Sequence, residues 1–331
     1  MKVLLTGGAG YIGSHANKLL NANGIETVVL DNLSRGHLEA VRWGRLVRAD
    51  LLDYAALESL FAAERFDAVM HFAAFIFVGE SVDQPEMYYH NNLAGSINLL
   101  RAMRAHGVGR FIFSSTAAVY GMPQRTPIDE EHPTGPINPY GWSKFMIERV
   151  LADFGAAYGM RSVVFRYFNA AGADPDCETG EHHDPENHLV PLVLKAILDP
   201  KREIKVFGED YPTPDGTAVR DYIHVLDLSQ AHLLGLKSLM EENRPGVPAC
   251  RVFNIGNGAG FSVRQVIDAA RRVTGGAPRV TVGPRRAGDA SSLVASSDKL
   301  RRELGWTPRY PRLEDIIAHA WEWEKKLNGV S

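Results

Sequence analysis

The chain has 331 residues, 45% of them hydrophobic and 23% charged, a globular composition with length enough for two domains. A net charge of -3 offers nothing to nucleic acid or an anionic membrane surface, and no apolar run reaches the roughly 18 residues needed to cross a bilayer. Two cysteines, Cys177 and Cys250, exclude a disulfide framework and show no metal spacing. A reducing, cytoplasmic compartment is expected, because MKVLLTGG also lacks the apolar core of a signal peptide.

Taken in chain order, the first half alternates strands with helices. Lys2–Thr6, Thr27–Leu30, Arg45–Ala49, Asp67–His71, Arg110–Ser115 and Arg161–Tyr167 read as strands. Several are apolar throughout, as expected of a parallel sheet covered on both faces. The longest amphipathic stretches are Met87–Ala105 and Tyr140–Tyr158. This pattern predicts an α/β fold: a Rossmann-type doubly wound parallel sheet, with ligands at the carboxyl ends of its strands. After Gly172 the run AGADPDCETGEHHDPEN reads as a long loop. A smaller C-terminal α/β substrate domain is expected beyond it. The division is residues 1–172 and 173–331, with segments near 221–240 and 252–256, strand-like or strongly apolar, returning to the large domain.

TGGAGYIG (Thr6–Gly13) follows the first strand and opens the first helix. Gly7, Gly10 and Gly13 allow a tight turn and close approach of amides to a pyrophosphate, with Tyr11 and Ile12 in the first helical turn. Asp31 comes 18 residues after Gly13, at the end of the second strand. A carboxylate there accepts from a ribose diol and repels a 2′-phosphate, so NAD is expected over NADP.

Tyr140 and Lys144 form a YxxxK pair, one turn apart on one helix face, behind a strand that ends Ser114-Ser115-Thr116. Oxidising a secondary alcohol needs a base for the hydroxyl proton. A tyrosine pKa of about 10 leaves roughly one molecule in a thousand ionised at pH 7, and lowering it by about 3 units takes about 4 kcal/mol. The Lys144 ammonium and a positive nicotinamide are expected to supply that shift, with Thr116 holding the substrate hydroxyl.

Further motifs recur in order: TGGAGYIGSH, HFAA, YYHNN, FSSTAAVYG, NPYGWSK, FRYFNAAGA, TPDGTAVRDYIHV, FNIGNG and RRAGD. Over nearly the whole chain this resembles the UDP-glucose (UDP-galactose) 4-epimerases of the extended short-chain dehydrogenase/reductase family. The resemblance implies interconversion of a UDP-hexose pair at C4 through a transient 4-keto sugar, with bound NAD taking and returning one hydride, in a homodimer. It implies Tyr140 as base, with Lys144 and Thr116. For the cofactor it implies Asp31, Asn32, Asp50 and Leu51 at the adenosine, Phe72, Ala73 and Ala74 at the pyrophosphate and ribose, and Asn92, Ser114 and Tyr167 near the nicotinamide. For the UDP-sugar it implies Phe168, Asn169, Leu189, Lys205, Val206, Phe207, Tyr222 and Leu293. Arg220 and Arg286 are implied at the diphosphate and Asp289 at a ribose hydroxyl. Arginine suits a diphosphate on chemistry alone, because its fork of donors matches two oxygens.

Three positions depart from many relatives: Ile76 in place of a lysine, His188 in place of an asparagine, and Leu293 in place of a tyrosine. Only the last touches substrate range. The cluster of His182, His183, Asp184, Glu186 and His188 fits no zinc spacing and reads as a solvated loop, so no metal is expected. Epimerases of other UDP-sugars, such as UDP-N-acetylglucosamine or a UDP-pentose, share these features. A sugar-nucleotide dehydratase is disfavoured because Ala117 and Ala118 follow Thr116, where such enzymes place acids. A non-catalytic NAD-responsive protein has no use for Tyr140 and Lys144 together.

Overall fold

The computed structural model describes residues 1–241, 248–286 and 288–330. Ala287, inside the RRAGD run, lies outside the described residues. β1 (Lys2–Thr6) runs through the glycine turn into α1 (Tyr11–Ala22), β2 (Glu26–Asp31) and β3 (Arg45–Arg48). Then follow α2 (Tyr54–Ala63), β4 (Ala68–His71), α3 (Val78–Asp83), α4 (Pro85–Tyr88), α5 (Gly95–Ala105), β5 (Arg110–Thr116), α6 (Pro139–Tyr158) and β6 (Arg161–Tyr167). The second half contributes β7 (Asn169–Ala171), α7 (Leu189–Leu198), β8 (Glu203–Phe207), β9 (Val219–His224), α8 (Val225–Glu241) and β10 (Cys250–Ile255). It ends with β11 (Gly260–Ser262), α9 (Val263–Thr274), β12 (Arg279–Gly283), β13 (Ser292–Leu293), α10 (Asp298–Leu304) and α11 (Leu313–Leu327).

Seven strands form one sheet in the order β10-β6-β5-β4-β1-β2-β3, every pairing parallel. Successive strand residues point to opposite faces, so each strand feeds two cores. Val3, Leu5, Met70, Ile112, Val163 and Phe165 meet α1 and α8 on one side. Leu4, Val69, Phe111, Phe113 and Val164 meet α2, α5 and α6 on the other. The strand order reverses between β1 and β4, which opens a crevice at their carboxyl ends.

Beyond β6 the chain builds a smaller body. β9 pairs with β7, β11 and β13, while β8 pairs with β12. α7, α9 and α11 pack over them around Val193, Leu194, Val266, Ile316 and Ile317. The apolar segment Asp221–Met240 is not one element. β9 ends at His224 within this body, and α8 then packs against α1 and the large sheet. β10 joins the large sheet beside β6.

The stretch Met87–Ala105 is also not a uniform helix. Between α4 and α5 lies a π-helical turn, Tyr89–Ala94. Its buried Asn92 turns inward to donate to the Phe75 carbonyl (3.0 Å) and accept from the Phe75 amide (2.8 Å). Such widened turns accommodate an inward side chain that a regular 3.6-residue turn would misalign.

Candidate active site

A cleft of about 1140 Å³ runs along the carboxyl ends of the large sheet and under the smaller body. That exceeds the roughly 300–1,000 Å³ of a single small-molecule site, so it has room for more than one ligand.

At one end, Gly7–Gly13 forms its floor. A Cβ on Gly13 would lie 2.2 Å from the Gly7 carbonyl oxygen, so only glycine lets α1 start this close to β1. Gly10 caps α1 without any side-chain hydrogen bond, and its first turn carries no acid. The positive helix end therefore faces the cleft. Asp31 is buried, and accepts from the Ala9 amide (3.0 Å) and the Leu33 amide (2.9 Å). Burial raises its pKa despite these bonds, and each oxygen keeps a lone pair for a diol. Asn32 donates to Asp50 at 2.8 Å, so Asn32, Asp50 and Leu51 make one wall. This cradle fits a dinucleotide: amides for the pyrophosphate, a carboxylate for the ribose.

At the crevice centre, Asn138 caps α6 by accepting from Gly141 N at 2.8 Å, and Pro139 occupies its first turn. A Cβ on Gly141 would lie 2.8 Å from the Ala118 carbonyl oxygen. That approach presses α6 onto the turn after β5 and brings Tyr140 beside Thr116. Lys144 donates to the Ser114 carbonyl at 3.0 Å and lies 5.0 Å over the Phe113 ring.

Burial pushes Lys144 down to about 7. It pushes Tyr140 up to about 12, against the opposing effect of the neighbouring Thr116 hydroxyl. The chain's own environment thus opposes the tyrosinate–ammonium pair that the sequence reading expects from Lys144. A dry crevice penalises both charges, and among the described residues no anion offsets the burial of the ammonium.

At the far end, Arg220 donates to the Val219 and Ala290 carbonyls, each at 2.9 Å. Arg286 pairs with Asp289 at 3.0 Å and stacks 4.8 Å from the Phe207 ring centre. Asp289 also lies 3.7 Å from Arg220. It sits between the arginines, so it orients them as well as offering a carboxylate to a ligand.

Most sequence-derived residues line this one cleft, including Tyr167, Phe168, Asn169, Leu189, Tyr222 and Leu293. Four do not. Val206 alternates with Lys205 and Phe207 on β8, so its side chain is buried in the small core. Asn92, Ser114 and Lys144 stand behind the lining. Asn92 ties the turn at Phe75 to Ser143 (3.1 Å), and Ser114 holds Lys144. The His182–His188 run is qualified. It is a loop, as expected, but only partly solvated: His182, Asp184, Pro185 and Asn187 are exposed, while Glu181 is buried and Glu181, His183, Asp184 and His188 line the cleft.

Sequence reasoning missed two supports. Glu148, one turn past Lys144, grips Arg166 (2.6 Å) and accepts from Ser115 (2.5 Å), clamping α6 to β5 and β6. The i+4 spacing from Lys144 was a usable signal. Arg35 lies over Phe75 and Phe77 and pairs with Glu80 at 2.7 Å, closing the wall beside Asp31. Nothing in the spacing marks that contact.

Residues 3–256 match the NAD dependent epimerase/dehydratase family. The chain is 48% identical over 326 residues to a UDP-glucose 4-epimerase of Halalkalibacterium halodurans, covering 98% of this chain and 96% of that one. It superposes on a crystal structure of a UDP-glucose 4-epimerase with a TM-score of 0.95 at 48% identity, covering 100% and 99%. A second crystal structure, UDP-glucose 4-epimerase from Brucella ovis in complex with NAD, gives 0.92 at 45% identity, covering 98% of each chain. No helix among the described residues is long and apolar enough to cross a membrane.

Proposed function

The chain belongs to the NAD dependent epimerase/dehydratase family, and from that premise and the geometry of the cleft we propose its reaction cycle. It is an NAD-dependent enzyme that interconverts UDP-glucose and UDP-galactose by inverting C4. The observation that carries this reading is that Tyr140 and Thr116 meet at the end of β5, in the same cleft as the dinucleotide turn and Arg220 with Arg286.

Gly7, Gly10, Tyr11, Ile12, Gly13, Asp31, Asn32, Asp50, Leu51, Phe72, Ala73 and Ala74 hold the dinucleotide. Bound there, NAD supplies the hydride acceptor and donor at C4 and a positive charge in the crevice. Tyr140 takes the C4 hydroxyl proton and returns it, and Thr116 fixes that hydroxyl. Lys144, anchored on Ser114, stands one turn below Tyr140 and supports its ionised form once its own ammonium is stabilised. Arg220 and Arg286 keep the nucleotide in place while the 4-keto sugar turns, so the remote binding energy retains the intermediate. Ala117 and Ala118 follow Thr116 and line the cleft. With no acid at those two positions, elimination of water is disfavoured.

The same reading carries a homodimer and a cytoplasmic site of action. Exposed Trp142, Met146 and Tyr158 on α6 support the first, and two free cysteines support the second. The test is a coupled assay of the purified protein with UDP-galactose, UDP-N-acetylgalactosamine and UDP-arabinose. UDP-galactose should give UDP-glucose with no net release of NADH. Stoichiometric NADH release, or no turnover of any of the three, would overturn the cycle.

A further inference from the structure

We propose that Glu181, His183, Glu186 and His188 form a binding site for a divalent transition-metal ion, with Zn²⁺ the best match. Each of the four side chains offers one ligand atom, and those four atoms lie within 4.8 Å of one another. Two imidazole nitrogens with two carboxylate oxygens is a donor set that Zn²⁺, Co²⁺ and Mn²⁺ accept.

The ligands are held from behind. Glu186 Oε1 accepts from the Asn187 amide (2.8 Å) and the His188 amide (3.0 Å), which fixes its carboxylate plane. Trp323 Nε1 donates to the Glu181 carbonyl at 2.8 Å. The His183 ring stands edge-on to Tyr11 (6.3 Å), Phe77 (6.1 Å) and His188 (5.2 Å). α7 begins at Leu189, directly after His188.

Two atoms are left over. Glu186 Oε2 and His183 Nδ1 are buried without a hydrogen-bond partner, and the Glu186 side chain is only 5% exposed. His183 Nδ1 lies 3.2 Å from Glu181 and 3.7 Å from Glu186, aligned to neither. Glu181 Oε1 contacts His188 Nδ1 directly. Lys195 is the neighbouring cation, 3.6 Å from Glu186 and 3.8 Å from Glu324.

As an internal network the cluster is poorly satisfied: Glu186 Oε2 accepts no hydrogen bond and faces only the Lys195 ammonium at 3.6 Å, and His183 Nδ1 is aligned to neither carboxylate. A divalent ion that displaces the protons of the two imidazoles keeps the charge balanced against the two carboxylates, and leaves Lys195 to Glu324. Ligand bonds near 2.0–2.1 Å require the four side chains to readjust by about 1 Å, within rotamer freedom on a loop.

The other acidic cluster, Asp174, Asp176 and Glu178, is already engaged by Lys18 at 2.8, 3.1 and 2.7 Å, so it makes no such claim. A loaded site would staple residues 181–188 beside Tyr11 and steady the first turn of α7. The ion would be structural, outside the Tyr140 chemistry.

The experiment is calorimetric titration of the chelator-dialysed full-length protein with ZnCl₂, with Co²⁺ as a spectroscopic probe. The expected result is one equivalent of Zn²⁺ bound, a visible Co²⁺ band of low-symmetry four-coordination, and a higher unfolding midpoint with Zn²⁺. His183→Gln and Glu186→Gln, measured separately, should each weaken Zn²⁺ at least tenfold, while Asp184→Asn should not. Should one of the two variants fail to fold, the other decides. No stoichiometric binding to the wild type, or equal Zn²⁺ affinity in the folded variants, would overturn the site.

Discussion

Lys144→Met in the NAD-free protein gives a stability change whose sign depends on pH. Lys144 is buried and its pKa falls from an ordinary 10.5 to about 7. The unfolded chain therefore holds a proton that the folded chain releases between those two values, so wild-type stability rises with pH across that window. Below about pH 7 the full penalty for a buried ammonium stands, about 5 kcal/mol at 1.36 kcal/mol per pKa unit. Methionine has a similar length and no charge, so it removes that penalty. It also removes the 3.0 Å bond to the Ser114 carbonyl, at a cost of about 1–2 kcal/mol.

The variant should thus be more stable than wild type by roughly 3 kcal/mol at pH 6. The advantage should shrink by roughly 4 kcal/mol by pH 10, where the bond loss dominates and wild type becomes the more stable. Urea denaturation of both apoproteins across this range reads the difference directly. A pH-independent difference, or a variant less stable at pH 6, would refute the idea that the crevice disfavours the ammonium. Turnover should be lost at every pH, which separates what Lys144 does for the reaction from what it costs the fold.

Tyr140→Phe should lower turnover by at least 10²–10⁴-fold while the nicotinamide absorbance of the purified protein is retained; near wild-type turnover would remove Tyr140 as the base. Gly13→Ala places a Cβ 2.2 Å from the Gly7 oxygen and 2.8 Å from Gly8 Cα. Both neighbours are backbone, so the variant should lose bound NAD and about 1–3 kcal/mol of stability. An unchanged spectrum and unfolding midpoint would show that the turn is looser than described. Leu293 packs with Val119, Phe168 and Ala295 at the cleft wall. Leu293→Tyr should suppress turnover of UDP-N-acetylglucosamine relative to UDP-glucose by about 1–3 kcal/mol in kcat/KM; an unmoved ratio would place the gate elsewhere.

The sequence by itself determined the sheet. Local patterns mark the strands Lys2–Thr6 and Arg161–Tyr167 to the residue, because a parallel strand buried on both faces must be apolar throughout. It also marked the glycine turn, Asp31 and the Tyr140–Lys144 pair, since each depends on spacing within one or two neighbouring elements.

What it could not supply was set by contacts across the chain. Asp50 becomes a cleft wall only because Asn32, on the neighbouring loop, reaches it. Val206 faces inward because β8 has a core on one side, which pairing and not propensity decides. The loop at Glu181–His188 looks like solvated polar sequence, and His182 and Asp184 are exposed, yet α11 brings Trp323 against it and α1 brings Tyr11, and Glu181 is buried between them.

The charge states of Tyr140 and Lys144 were the least legible of all. A one-turn spacing suggests mutual stabilisation. Only the tertiary structure shows how dry the crevice is, and desolvation there outweighs the pairing of the two groups.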